Sequence, residues 1–356
     1  MRILTTLAIC LSLATAALAA ELPKPTGKNI VSADAKLELL FTRSAEIEGG
    51  LTEGPAVAPD GSIYFSDIPF GKDNGMILRF DPKTKKITVF TDDSGKTNGL
   101  IFDSKGNLLA CEGAGYGGRR VSRWDVKTGK SETIVDNIGG KRFNAPNDLC
   151  LDSKGNIYFT DPRYVGHEPR ELEHRAVYRI DTEGNVEEVT HEVVKPNGIA
   201  ISPDGKKLYV ADHDNGTDNI DPTKPPPEQG IMKIYAFRIK KNGKLGKQRT
   251  IVDFGEEKGC DGMCVDEHGN IYLTVRSSNR PGVMVVNSKG KEVAFIPTGP
   301  ANQKTTTENP PVGLPSNVEF GRGDESSVLY VTVDKSLYRI PLNVKGFHVQ
   351  YSADEK

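Results

Sequence analysis

The sequence predicts an all-β fold, a six-bladed β-propeller, on three observations. One short phrase recurs six times: a polar residue, usually Gly, alternating apolar residues, a turn built on Asp or Lys with Gly, then an apolar strand ending small and acidic. Its copies start roughly 45–65 residues apart, room for four strands each. No stretch sustains a 3.6-residue apolar period, so helices should be minor. The copies read EGPAVAPDGSIYFSD from Glu53, NGLIFDSKGNLLACE from Asn98, NDLCLDSKGNIYFTD from Asn147, NGIAISPDGKKLYVAD from Asn197, DGMCVDEHGNIYLTV from Asp261 and SNVEFGRGDESSVLYVT from Ser316. A β-sandwich has no need of six copies, and a β-helix coil is far shorter.

Residues 1–20 read as a secretory leader: Arg2, an apolar run from Ile3 to Leu18, and a small-x-small site at Ala17-Leu18-Ala19. Cleavage before Ala20 or Glu21 leaves an exported protein, periplasmic or secreted, with no membrane segment in its mature form. Residues 21–35 read as a linker and 36–345 as the propeller. Lys36–Thr42 is expected to complete the last blade and close the ring, leaving no open sheet edge. In the first blade Pro55–Asp60 and Ser62–Asp67 meet at an Asp60-Gly61 turn, followed by Met76–Phe80 and Lys86–Thr91. The third repeats this with Ala176–Asp181 and Val186–Thr190 around Glu183-Gly184-Asn185. Two insertions, Asn215–Gln229 and Thr298–Pro311, account for the longest intervals. The last copy leaves little chain after Leu337–Pro341, and 346–356 reads as a tail.

Composition narrows the function classes. Hydrophobic residues make up 37%, enough for a core, and 37 glycines with 22 prolines suit many turns. A net charge of −2 provides no basic field to draw nucleic acid. There is no G-x-S-x-G elbow, P-loop or Rossmann fingerprint. Four cysteines remain after the leader: Cys111, Cys150, Cys260 and Cys264. Three pairings are open to them, but their places in the repeat read as small buried fillers, and no histidine makes Cys260-x3-Cys264 a zinc site.

The chemistry lies in the first position of the phrase, which is never apolar: Glu53, Asn98, Asn147, Asn197, Asp261 and Ser316. Inner strands of a propeller run along one axis, so these residues should form a ring. Carboxylates and carboxamides converging there are costly to bury without a compensating charge. A central divalent cation meets that need, and donors that are all hard oxygens favour Ca²⁺, with Mg²⁺, Mn²⁺ or Zn²⁺ as other occupants. The glycines that follow (Gly54, Gly99, Gly198, Gly262) suit a close backbone approach. Asp67, Glu112, Asp161 and Asp212 form either a second acidic ring or hydrogen-bonded turn anchors. Asp148 is a minor candidate for a second cation, and His167, His174 and His213 for proton shuttles at the channel mouth.

Several phrases in order look like the gluconolactonase branch of the senescence-marker-protein/gluconolactonase/luciferin-regenerating-enzyme family, over roughly residues 36–341. They are Glu53-Gly54-Pro55, Arg142-Phe143-Asn144-Ala145-Pro146-Asn147-Asp148, Tyr158-Phe159-Thr160-Asp161-Pro162, Pro196-Asn197-Gly198 and Cys260-Asp261-Gly262. Related diisopropylfluorophosphatase and paraoxonase propellers set a similar glutamate, asparagine and aspartate arrangement around catalytic calcium. The resemblance implies Glu53, Asn147, Asn197 and Asp261 as metal positions and Arg142 as a substrate contact; Asn98, which completes the polar ring, is expected on a sugar hydroxyl. A small-molecule lactone, such as glucono-1,5-lactone, suits a Lewis acid with a base and no strong nucleophile. Asp261 is expected to act as that base, or to position the attacking water, while also ligating the metal. The alternatives are an organophosphate or aryl-ester hydrolase using the same metal, and a non-catalytic propeller that binds carbohydrate or protein.

Overall fold

The computed structural model describes residues 22–43, 50–69, 71–218, 227–299 and 313–349. The expected leader, residues 219–226 of the first insertion and 300–311 of the second lie outside the described residues. Six antiparallel four-stranded sheets are present, each running outward from an inner strand. The inner strands are Leu51–Val57, Thr97–Phe102, Leu149–Leu151, Pro196–Ile201, Cys260–Val265 and Pro315–Phe320. Next to the innermost, strands such as Leu108–Glu112, Ile157–Asp161 and Ile271–Val275 are buried along their whole length, because neighbouring blades cover both faces. Outer strands such as Lys86–Thr91 face solvent and carry charge, which blunts their edges. Among the described residues the one helical element is a 3-10 turn, Gly323–Glu325.

Glu38–Thr42 pairs with Ser336–Pro341 and supplies the outer strand of the last blade, as expected. Glu38 ties this closure down, lying 2.8 Å from Arg339 and 3.1 Å from Lys85 of the first blade. The segment read as a linker is not one over its described part. Thr26 bridges Phe295, and Val31 is fully buried in the core of the last two blades. The amide of Asn343 also bonds the Ile30 carbonyl at 2.8 Å. Composition hid this, since only Ile30 and Val31 of that stretch are buried apolar residues. The tail departs likewise: the Phe347 amide bonds Val265 at 3.0 Å, and Phe347, His348 and Val349 line the far end of the channel. All four described cysteines are buried and free, in keeping with fillers.

Two local devices set the ring. Five inner strands slip register beside the ring residue, at Glu53/Ala56, Thr97/Leu100, Pro196/Ile199, Cys260/Met263 and Pro315/Asn317. Such bulges re-aim a side chain and end regular pairing. The glycine after the ring residue then lets adjacent blades touch. A Cβ on Gly198 would stand 2.3 Å from the Asp261 carbonyl oxygen, and one on Gly54, at φ +47°, 2.2 Å from that of Asn98. The close approach is therefore between blades, not only toward the axis.

Candidate active site

Glu53, Asn98, Asn197 and Asp261, each beside a bulge, and Asn147, just ahead of the regular third inner strand, line one cavity of about 310 Å³ at one end of the channel, the scale of a small-molecule site. Ser316, the sixth ring member, does not join them. Its hydroxyl is buried and donates to the Thr52 carbonyl at 2.6 Å, stitching the last blade to the first. Backbone bonds across other seams hold the rest in place: the Gly99 amide bonds the Asn147 carbonyl at 2.7 Å, and Ser66 Oγ donates to the Asn98 carbonyl at 2.8 Å.

Electrostatics single out the carboxylates. Burial, and next the negative charge of Asp261, push the Glu53 carboxyl well above its usual range, although Oε2 accepts the Gly54 amide at 2.9 Å. Asp261 faces Arg276 at 3.3 Å. Asn197 Nδ2 donates to Tyr164 Oη at 2.9 Å, which leaves its Oδ1 as the uncommitted end of the amide. The Asn147 carboxamide makes no hydrogen bond among the described residues. Two repelling carboxylates, one of them buried, with two amide oxygens beside them, fit a hard divalent cation. Among the described residues no group of three or more His, Cys, Asp and Glu could hold a metal. The candidate set is instead half carboxamide.

Other side chains complete the wall. Lys96 lines the cavity with Nζ donating to the Pro69 and Gly71 carbonyls, and burial lowers its pKa. Tyr164, Asn215 and Arg276 also line it, and sequence reasoning had missed all four. His213 is the one of the three candidate histidines that reaches the cavity, and burial holds its imidazole below the usual range. A signal for part of this set existed. The residues just after the second strand's closing position (Ile68, Gly113, His213, Arg276) all line the cavity and form a second column of the repeat.

The remaining candidates lie elsewhere. Arg142, expected to contact substrate, sits in a short extra hairpin, Asn137–Ile138 with Lys141–Arg142, and its guanidinium donates to the Gly118 carbonyl at 2.5 Å. The chain then dives through fully buried Phe143, so Arg142 stays outside the cavity. His167 and His174 are exposed and pack against Tyr116 and His191. The four closing acids serve as anchors rather than a second ring. Asp161 accepts the Asn144 and Ala145 amides at 2.8 and 2.6 Å, and Asp212 those of Val194 and Lys195 at 3.0 and 2.9 Å. Asp67 and Glu112 pair instead with Arg43 and Arg120, at 2.7 and 2.8 Å. Asp148 lines the far end of the channel, where burial raises its pKa to about 7.

Residues 51–334 match the family model described as the SMP-30/gluconolactonase/LRE-like region. A gluconolactonase of Zymomonas mobilis is 26% identical over 323 residues, covering 83% of this chain and 79% of that protein. Diisopropyl-fluorophosphatase of Loligo vulgaris is 28% identical over 258 residues, covering 67% and 75% respectively. Among solved structures, a gluconolactonase from Xanthomonas campestris superposes with a TM-score of 0.70 at 27% identity, covering 90% of this chain and 95% of that one.

Proposed function

The chain belongs to the SMP-30/gluconolactonase/LRE-like family, and from that premise we propose that it is a lactone hydrolase that opens a sugar lactone such as glucono-1,5-lactone. The observation that carries this reading is the convergence of two carboxylates and two carboxamides, Glu53, Asp261, Asn147 and Asn197, in one small-molecule cavity. These four would hold a divalent cation, Ca²⁺ by preference of the donor set. When bound, such an ion polarises a carbonyl oxygen and stabilises negative charge on it. Asn98 and Lys96 offer hydrogen-bond donors to sugar hydroxyls, and Leu51, Ile68 and Pro69 thin out bulk water. Asp261, steadied by Arg276, either takes a proton from the attacking water or positions that water. Export, read from the leader, belongs to the same proposal.

The test is a pH-indicator assay on chelated protein with Ca²⁺, Mg²⁺, Mn²⁺ or Zn²⁺ restored in turn. Lactone turnover should vanish on chelation and return best with Ca²⁺. Asp261→Asn should lower turnover by about a hundredfold or more while the circular dichroism spectrum stays unchanged; undiminished turnover would remove Asp261 from the reaction. The likeness to the squid fluorophosphatase supports a second reading, hydrolysis of organophosphate or aryl esters. It predicts that such esters outcompete aldonolactones under the same assay.

A further inference from the structure

We propose that His213 is the general base of the hydrolysis and returns the same proton as its general acid. This rests on the lactone-hydrolase reading and assigns Asp261 to positioning the water. His213 ends the second strand of the fourth blade, Lys207–His213, directly after Asp212, whose carboxylate is tied to two backbone amides. Its backbone is therefore fixed, and the Tyr164 hydroxyl donates to its carbonyl at 2.9 Å. Nδ1 lies 2.9 Å from the carbonyl oxygen of Cys260. A carbonyl can only accept, so Nδ1 carries the proton and Nε2 keeps its lone pair. The residue is 6% exposed and lines the cavity along with Asn197 and Asp261. Among the described residues Nε2 has no hydrogen-bond partner.

The other bases of the cavity are committed. Glu53 and Asp261 belong to the cation set, and Arg276 draws further on the charge of Asp261. His213 Nε2 has neither engagement.

In the reaction Nε2 takes a proton from water as the water oxygen bonds to the lactone carbonyl carbon. When the bond from that carbon to the ring oxygen breaks, Nε2–H gives the proton to the departing oxygen, which leaves as a hydroxyl. The acid formed loses its own proton to solvent, and the imidazole ends neutral, as it began. The carbonyl of Cys260 holds the ring in place throughout and stabilises the imidazolium between the two transfers.

The test compares wild type, His213→Ala and His213→Gln on glucono-1,5-lactone, with calorimetric Ca²⁺ titration and added imidazole. Loss of a general base typically lowers kcat by about 10²–10⁴-fold. The expected result is that loss in both variants, with KM and Ca²⁺ affinity near wild type. Imidazole should restore part of the kcat of His213→Ala in proportion to its concentration, above its own background rate. Undiminished kcat in either variant overturns the proposal. So does loss that tracks weakened Ca²⁺ binding and resists imidazole, because that marks a structural role. A wild type that turns over no lactone at all would instead sink the lactone-hydrolase reading on which the proposal stands.

Discussion

Tyr164 shows how a side chain outside the repeat register governs one inside it. Its hydroxyl receives Asn197 Nδ2 and donates to the His213 carbonyl, so it fixes which end of the Asn197 amide is spare. Lys195 backs it, with Nζ 4.4 Å over the ring and hydrogen-bonded to Asn215 Oδ1 and the Thr217 carbonyl. Burial lowers that lysine to about 8, yet at neutral pH it remains mostly the cation such a contact needs. Tyr164→Phe frees the amide to rotate. Ca²⁺ affinity should fall about 10–100-fold with little change in melting temperature, as calorimetric titration and a thermal scan would read; unchanged affinity would show that the hydroxyl does not orient Asn197. Tyr164 was invisible in the sequence because it lies three residues past Asp161 in a loop without a counterpart in other copies. Arg142 misled for the opposite reason. It precedes a ring asparagine closely in the chain, but the buried turn through Phe143 separates the two in space.

The blade unit repeats more chemistry than its ring column. In the third and fourth blades the acid closing the second strand clamps the amides three and two residues before the ring residue. In the sixth, Asp334 does the same for Gly313 and Leu314 at 2.7 and 3.2 Å. Each clamp fixes the entry of an inner strand, and in the fourth blade the bulge that follows lies beside Asn197. Gly198 is where this machinery tolerates least change. Gly198→Ala would press a Cβ onto the Asp261 carbonyl and shift that residue. Its lactone turnover should fall at least tenfold while the protein stays folded, judged by initial rates alongside circular dichroism; wild-type rates would show that the seam yields elsewhere. The sequence made the ring, the closing strand and the minor role of helices legible, because each is a periodic or turn-coded property. The docking of residues 22–35 and 346–349 was not legible, since it depends on shape complementarity of a few side chains with distant blades.

On the scale of the whole ring, several carboxyl groups are buried against their ordinary preference. Burial raises Asp67, Asp161 and Asp212 to about 6 and Glu319 to about 7. In an unfolded chain such groups titrate near 4. A carboxyl raised in the folded state stabilises the fold below its unfolded pKa, and that contribution is lost as pH rises through about 6 to 7. Glu168, lowered to about 2, works the other way, but only below pH ~4. Cation-free protein should therefore resist urea better at pH 5 than at pH 7.5, with the midpoint moving accordingly; equal or lower resistance at pH 5 would contradict the assignment. The pairing of Glu38–Thr42 with Ser336–Pro341 has a consequence in time rather than in energy. The first strand of the ring to leave the ribosome is the last to be seated. Until the sixth blade has followed, the growing chain carries an unmoored strand at its leading end and no edge to receive it. The ring is thus a clasp fastened only when synthesis has run past both of its halves.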